Sequence, residues 1–139
     1  MKHTSYEDFK YSMQDTGRVY VGCRYTLAEL LEEEALSFKF RMLVQRYILP
    51  EADPEDTLET QLYYLEPGSF LVKLYSQMKA KVRVNVIAEK KSLFGKARRE
   101  YVTRQLSVEQ LTGMSREEKE ACGLVVQELS VSKLAIAGL

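Results

Sequence analysis

The chain has one histidine, two cysteines, seven glycines and three prolines among 139 residues, and each scarcity removes a class of chemistry. The histidine, His3, lies in a terminal stretch of the kind that is poorly held. Nucleophilic hydrolases and transferases usually take their base from a positioned histidine, so the sequence does not read as an enzyme. Cys23 and Cys122 stand far apart, with no CxxC and no clustered histidines. They fit neither a zinc site nor a disulfide framework, and two buried thiols in a reducing compartment are expected, with no metal and no cofactor. Glycine is too sparse for a phosphate loop: Ser92-Leu-Phe-Gly-Lys96 has one glycine and a lysine, without the GxxxxGK[ST] spacing that cradles phosphates in backbone amides. The acidic stretch Glu51-Ala-Asp-Pro-Glu-Asp56 lacks the central glycine and alternating ligands of a calcium loop, and reads as a solvated turn. No apolar run approaches the roughly 18 residues of a membrane helix, so no integral membrane association is expected. Charges between Met1 and Lys10 occupy the place of a signal peptide's apolar core, which makes the cytoplasm the expected address.

What is present is alternation. From Phe70 to Ala88 the even positions Phe70, Val72, Leu74, Met78, Ala80, Val82, Val84, Val86 and Ala88 are apolar, while the odd positions from Lys73 to Asn85 are polar or tyrosine. Successive strand side chains point to opposite faces, so this pattern writes one apolar and one wet, basic face. Tyr101 to Leu106 alternates too, and the polar loop from Lys90 to Arg99 closes the two runs into an antiparallel hairpin. Val82, Val84 and Val86 are expected inside.

The remaining elements are read as packing on this hairpin. Arg18 to Tyr25 is rich in β-formers and gives a first strand. Thr26 and Glu29 form a capping box, opening a long helix over 27–48 with two apolar stripes that Pro50 terminates. Thr57 to Leu65 suits either state; Glu66-Pro-Gly-Ser69 is a type II turn, and folding 57–65 back onto 70–78 favours a strand. A competing reading has Ser69 cap a short helix through Met78. Ser107 to Gln110 opens a single helical turn closed by Gly113, and Ser115 with Glu118 caps a final helix over 116–133. The expected fold is α+β, one domain over 1–139: an antiparallel sheet of strands near 18–25, 57–65, 70–89 and 99–106, packed against helices 27–48 and 116–133. Residues 1–16 form an arm carrying Tyr6, Phe9 and Tyr11.

The net charge of zero is a cancellation. From Thr26 to Glu66 ten Asp/Glu oppose Lys39, Arg41 and Arg46; from Lys79 to Arg104 nine Lys/Arg oppose Glu89 and Glu100. Such segregation marks a polyanion-binding surface, a charge-paired interface, or two solvated faces. The residues with most functional weight are Lys73, Lys79, Lys81 and Arg83, expected on one side of the strand with Tyr75 among them, and Lys90, Lys91, Lys96, Arg98 and Arg99 in the loop. Leu93 and Phe94 interrupt that loop, and folding back over the sheet is favoured over an exposed tip. The expected function is a non-enzymatic interaction protein binding a protein partner or a second copy of itself. The alternative is a single-stranded nucleic-acid-binding accessory protein, with cations on phosphates and tyrosine stacking on bases; a pI near 6.6 and the absence of known nucleic-acid motifs weigh against it.

Overall fold

A computed structural model describes residues 17–33, 36–91, 93 and 95–139; the expected arm over 1–16 lies outside them. Four strands, β1 (Arg18–Gly22), β2 (Lys81–Lys91), β3 (Ala97–Ser107) and β4 (Val125–Ser132), form one antiparallel sheet in the order β1-β4-β2-β3. Seven α-helices accompany them among the described residues: α1 (Leu27–Glu32), α2 (Phe38–Leu43), α3 (Leu58–Tyr63), α4 (Phe70–Gln77), α5 (Val108–Gly113), α6 (Arg116–Ala121) and α7 (Lys133–Ala137). The α+β class is as expected. The hairpin is too: β2 and β3 pair continuously from Lys81 with Ser107 to Lys91 with Ala97, and Val82, Val84 and Val86 are buried.

Elsewhere local capping overrides the longer pattern. The helix expected over 27–48 is two helices. α1 opens on the Thr26–Glu29 capping box, but Glu33 already has extended geometry and Ser37 starts a new helix, its hydroxyl accepting from the Phe40 amide at 3.1 Å. Serine competes for backbone amides and so favours caps over helix interiors. From α2 the chain continues through a π-helical segment, Val44–Ile48, and a 3₁₀ turn, Leu49–Glu51. The strand expected over 57–65 is α3, capped by Thr57, with Leu58, Leu62 and Leu65 buried at helical spacing. The Pro67-Gly68 turn forms, with Gly68 at φ +75° and the Ser69 amide donating to the Glu66 carbonyl, but it joins two helices.

The strand expected over 70–89 begins at Lys81. Residues 70–77 are α4, the competing reading, with Ser69 as cap. α4 ends in a Schellman arrangement: the Ala80 amide donates to the Tyr75 carbonyl and the Lys79 amide to Ser76. The C′ residue of that motif is usually glycine; here it is Lys79, at φ +52°. The helix expected over 116–133 ends at Ala121, with Gly123 at φ +57° completing the same arrangement through bonds from Leu124 to Lys119 and Gly123 to Glu120. The β-branched run after it is β4, the strand between β1 and β2. Val126, Leu129 and Val131 of β4 bury beside Val19, Val21, Val82 and Val84 in one core, which Leu27, Leu30, Phe40, Ile48, Leu62, Met78 and Leu111 from the helices complete.

Candidate interaction surface

The hairpin β2–β3 outgrows the sheet that anchors it. β4 pairs with β2 from Lys81 to Asn85, and the Ile87 amide donates to the Cys122 carbonyl at 2.7 Å. Further out, from Ala88 to Lys91 and Ala97 to Glu100, β2 and β3 pair with each other as a two-stranded arm. Every described residue from Glu89 to Tyr101 is exposed. Leu93, at the tip, is fully exposed, which corrects the expectation that it folds back: the loop lies past the last point at which a third strand or helix could cover it. Phe94 lies outside the described residues. Among those described, Lys90, Lys91, Lys96, Arg98 and Arg99 of the arm face only Glu89 and Glu100 as countercharges within it.

The register decides how these cations are distributed. Directly paired residues share a face. Lys90 and Arg98 pair on the face that continues the core side, where the Lys90 ammonium meets a Glu100 carboxylate oxygen at 2.8 Å. Arg99 opposes Glu89, and Lys91 opposes Ala97, on the other face. The arm is therefore basic on both faces and around its tip.

The other residues singled out from the sequence do not join this cluster. Tyr75 is a core residue of α4, buried to 2% exposure; burial pushes its phenol pKa upward, and it cannot stack on a ligand. The helix that replaces the expected strand over 70–77 turned it inward. Lys73 is exposed on α4, and Lys79 sits at the helix end, its carbonyl accepting from Arg18 at 3.3 Å. Lys81 and Arg83 lie on the open outer face of the sheet, where Arg83 and Glu128 form an ion pair at 2.9 Å and Thr103 donates to Asn85 at 2.9 Å. Lys73, Tyr75 and Lys79 thus leave the expected basic face, while Lys81 and Arg83 keep its outer side, which Arg99 and Lys91 continue along the arm. Opposite charges are exposed elsewhere on the surface, at Glu32, Glu51, Asp53, Glu55 and Asp56.

No protein-family model, curated protein or solved structure matches the chain. Its chemistry has to be read from its own residues.

At the arm's base sits a close contact made over a glycine. A Cβ on Gly123 would lie 2.9 Å from the Tyr101 hydroxyl and 3.0 Å from the Ile87 side chain, so the bare glycine lets both close over the turn after α6. The signal was Gly123 itself, which stands inside the helix expected over 116–133 and in the structure ends it at φ +57°. Tyr101 remains 57% exposed on the face that also carries Arg99 and Lys91. Among the described residues no cluster of His, Cys, Asp and Glu could hold a metal ion, and no helix is long and apolar enough to cross a membrane. Cys23 and Cys122 are free thiols, and burial pushes the Cys23 pKa upward.

Proposed function

We propose that this chain is a non-enzymatic interaction protein whose β2–β3 arm docks into an acidic surface of a protein partner or of a second copy. The observation that carries this reading is the arm's projection past Asn85, where β4 stops pairing with β2, with cations on both faces and Leu93 exposed at the tip. A two-stranded ribbon alone in water is marginal, and an exposed apolar tip adds nothing to its stability. Inserted into an acidic cleft, both faces find countercharges and Leu93 is removed from water, by about 1.5–3 kcal/mol for a fully buried leucine. The exposed carboxylates of a second molecule, at Glu51, Asp53, Glu55 and Asp56, offer one such surface. A cytoplasmic address suits the two free thiols.

Sedimentation at about 0.1 M and 1 M salt tests the self-association form, because the screening length falls from about 10 Å to about 3 Å. A photo-crosslinker at Leu93, compared with one at exposed Glu117, tests the partner form. Adducts specific to the tip, lost when Lys90, Lys91, Lys96, Arg98 and Arg99 are changed to Glu, are expected. A salt-indifferent monomer with no tip-specific adduct refutes the reading. Exposed Tyr101 beside Arg99 keeps single-stranded nucleic acid as the second reading, to be judged by retardation of short RNA at low salt and its loss as salt rises.

A further inference from the structure

Away from the arm, α2 with the π segment after it and α4 enclose a groove of about 510 Å³. Each helix contributes a facing stripe at helical spacing: Met42, Leu43, Arg46 and Tyr47 from one, Phe70, Lys73, Leu74 and Gln77 from the other. Leu43 and Leu74 are buried, Tyr47 and Phe70 bring their rings to 6.0 Å, and Phe70 and Met42 remain nearly half exposed. Lys39 joins the rim, its ammonium donating to the Ala137 carbonyl of α7 at 2.9 Å. Met42 also lines a shallower neighbouring groove of about 230 Å³, beside Leu31, Phe38 and Arg41, so the apolar surface continues across α2. The buried Nε–H of Arg41 finds no acceptor among the described residues. In a chain with 20 Asp/Glu, no described side chain lining either groove is acidic, while those of Lys39, Arg41, Arg46 and Lys73 are all basic.

We infer that this double groove is a receptor for an acidic amphipathic helix of a partner protein. A trough between two helical stripes accepts a third helix by ridge-into-groove packing. Its apolar floor selects leucine-like anchors at i, i+3, i+4 and i+7, methionine adapts to their shape, and an all-basic rim selects carboxylates on the flanks. A flat bilayer cannot fill the hollow, which separates this surface from an interfacial membrane face. The site is independent of the arm, and its failure leaves the arm's role untouched.

The test uses the full chain and a labelled helical peptide of about 18 residues, five turns, with leucine on one face and glutamate on the other, beside a copy carrying lysine for glutamate. Fluorescence anisotropy should show saturable binding of the acidic peptide, about tenfold tighter than the lysine peptide. The preference should invert in Arg46→Glu/Lys73→Glu, both exposed positions whose folding is checked by circular dichroism. Phe70→Ser should weaken both peptides, and Lys90→Glu/Arg98→Glu in the arm should change neither. Equal affinities, or no saturable binding of the acidic peptide at about 1 mM, a ceiling below which even weak specific contacts register, would overturn the inference. Dodecanoate displacing the peptide with the higher affinity would also overturn it, by reassigning the groove to a lipid anion.

Discussion

One strand, β2, lives in two environments. At Val82 and Val84 its core-side residues are buried beneath helices and flanked by β4 and β3, and Val86, one position past β4, is buried too. At Ala88 and Lys90 the same face continues with one neighbour and water. The alternation of side chains runs unbroken through both, so backbone pairing alone does not decide what a position contributes; the third strand and the helices do. The body is held by burial, at roughly 25 cal/mol per Å² of apolar surface, and the arm by hydrogen bonds and exposed ion pairs that contribute little each. This leaves the arm the cheaper place to change and the freer surface on which to bind.

The sharpest way to break that contrast is to place the same charge in both halves. Val84→Asp buries a carboxylate in the core and should destabilise by several kcal/mol, whereas Lys90→Asp, on the same face of the same strand, should cost less than about 1 kcal/mol. Urea titration reads both. Equal costs would mean that the arm is packed like the body.

The junction comes next. Gly123→Ala forces a side chain into a left-handed backbone, at about 1–2 kcal/mol, and against the Tyr101 hydroxyl at 2.9 Å. Adding Tyr101→Phe removes that oxygen and should recover part of the loss in a double-mutant cycle. Strict additivity would show that the arm does not lean on this turn.

A stabilising change lies where β2 begins. Lys79 holds φ +52° at the end of α4, and Lys79→Gly should relieve the strain and raise stability by about 0.5–1 kcal/mol, seen as a higher melting temperature. A loss there would mean that the bond from Arg18 to the Lys79 carbonyl depends on the strained geometry.

The smallest effect concerns pH. Lys119 is buried against Tyr63, its ammonium donating to the Tyr63 carbonyl at 2.7 Å, and desolvation lowers its pKa. A lysine whose folded pKa is depressed carries a burial cost while charged. That cost fades as pH climbs through its folded value toward the unfolded value near 10.5. Relative to Lys119→Met, the native chain should therefore gain stability over the pH window that closes near the unfolded value of 10.5. A native chain that loses ground to the variant over that window would put the lysine's charge to favourable use.

These residues also show what a sequence displays. The hairpin was legible because alternation with β-branched residues has one reading when both runs flank a polar loop, and its register followed from keeping the valines on one face. The helix starts at Thr26, Ser107 and Ser115 were legible because each cap and its partner lie three residues apart. Ser37 was passed over because the apolar stripes of α1 and α2 run in phase across it. Lys79 concealed a helix end, since only its backbone angle marks the stop. β4 was hidden by Gly123 and by a Val-Val-Gln-Glu-Leu run that satisfies either period, and only pairing with β1 and β2 chooses between them. The arm's cations were found and their faces were not: register fixed those for the loop, while Tyr75 and Lys73 were misplaced with α4.

The strand order carries a further consequence, for the order in which the chain is made. β1 leaves the ribosome before β2, β3 and β4, yet its sheet partner is β4, Arg18 lying opposite Ser132. The hairpin β2–β3 can zip up locally on its own. Val19 and Val21, buried in the finished protein, have no sheet to join until Val131 has been synthesised. Until β4 emerges the nascent protein thus carries an unpaired apolar strand, the kind of segment that chaperones shield and that aggregates when they do not.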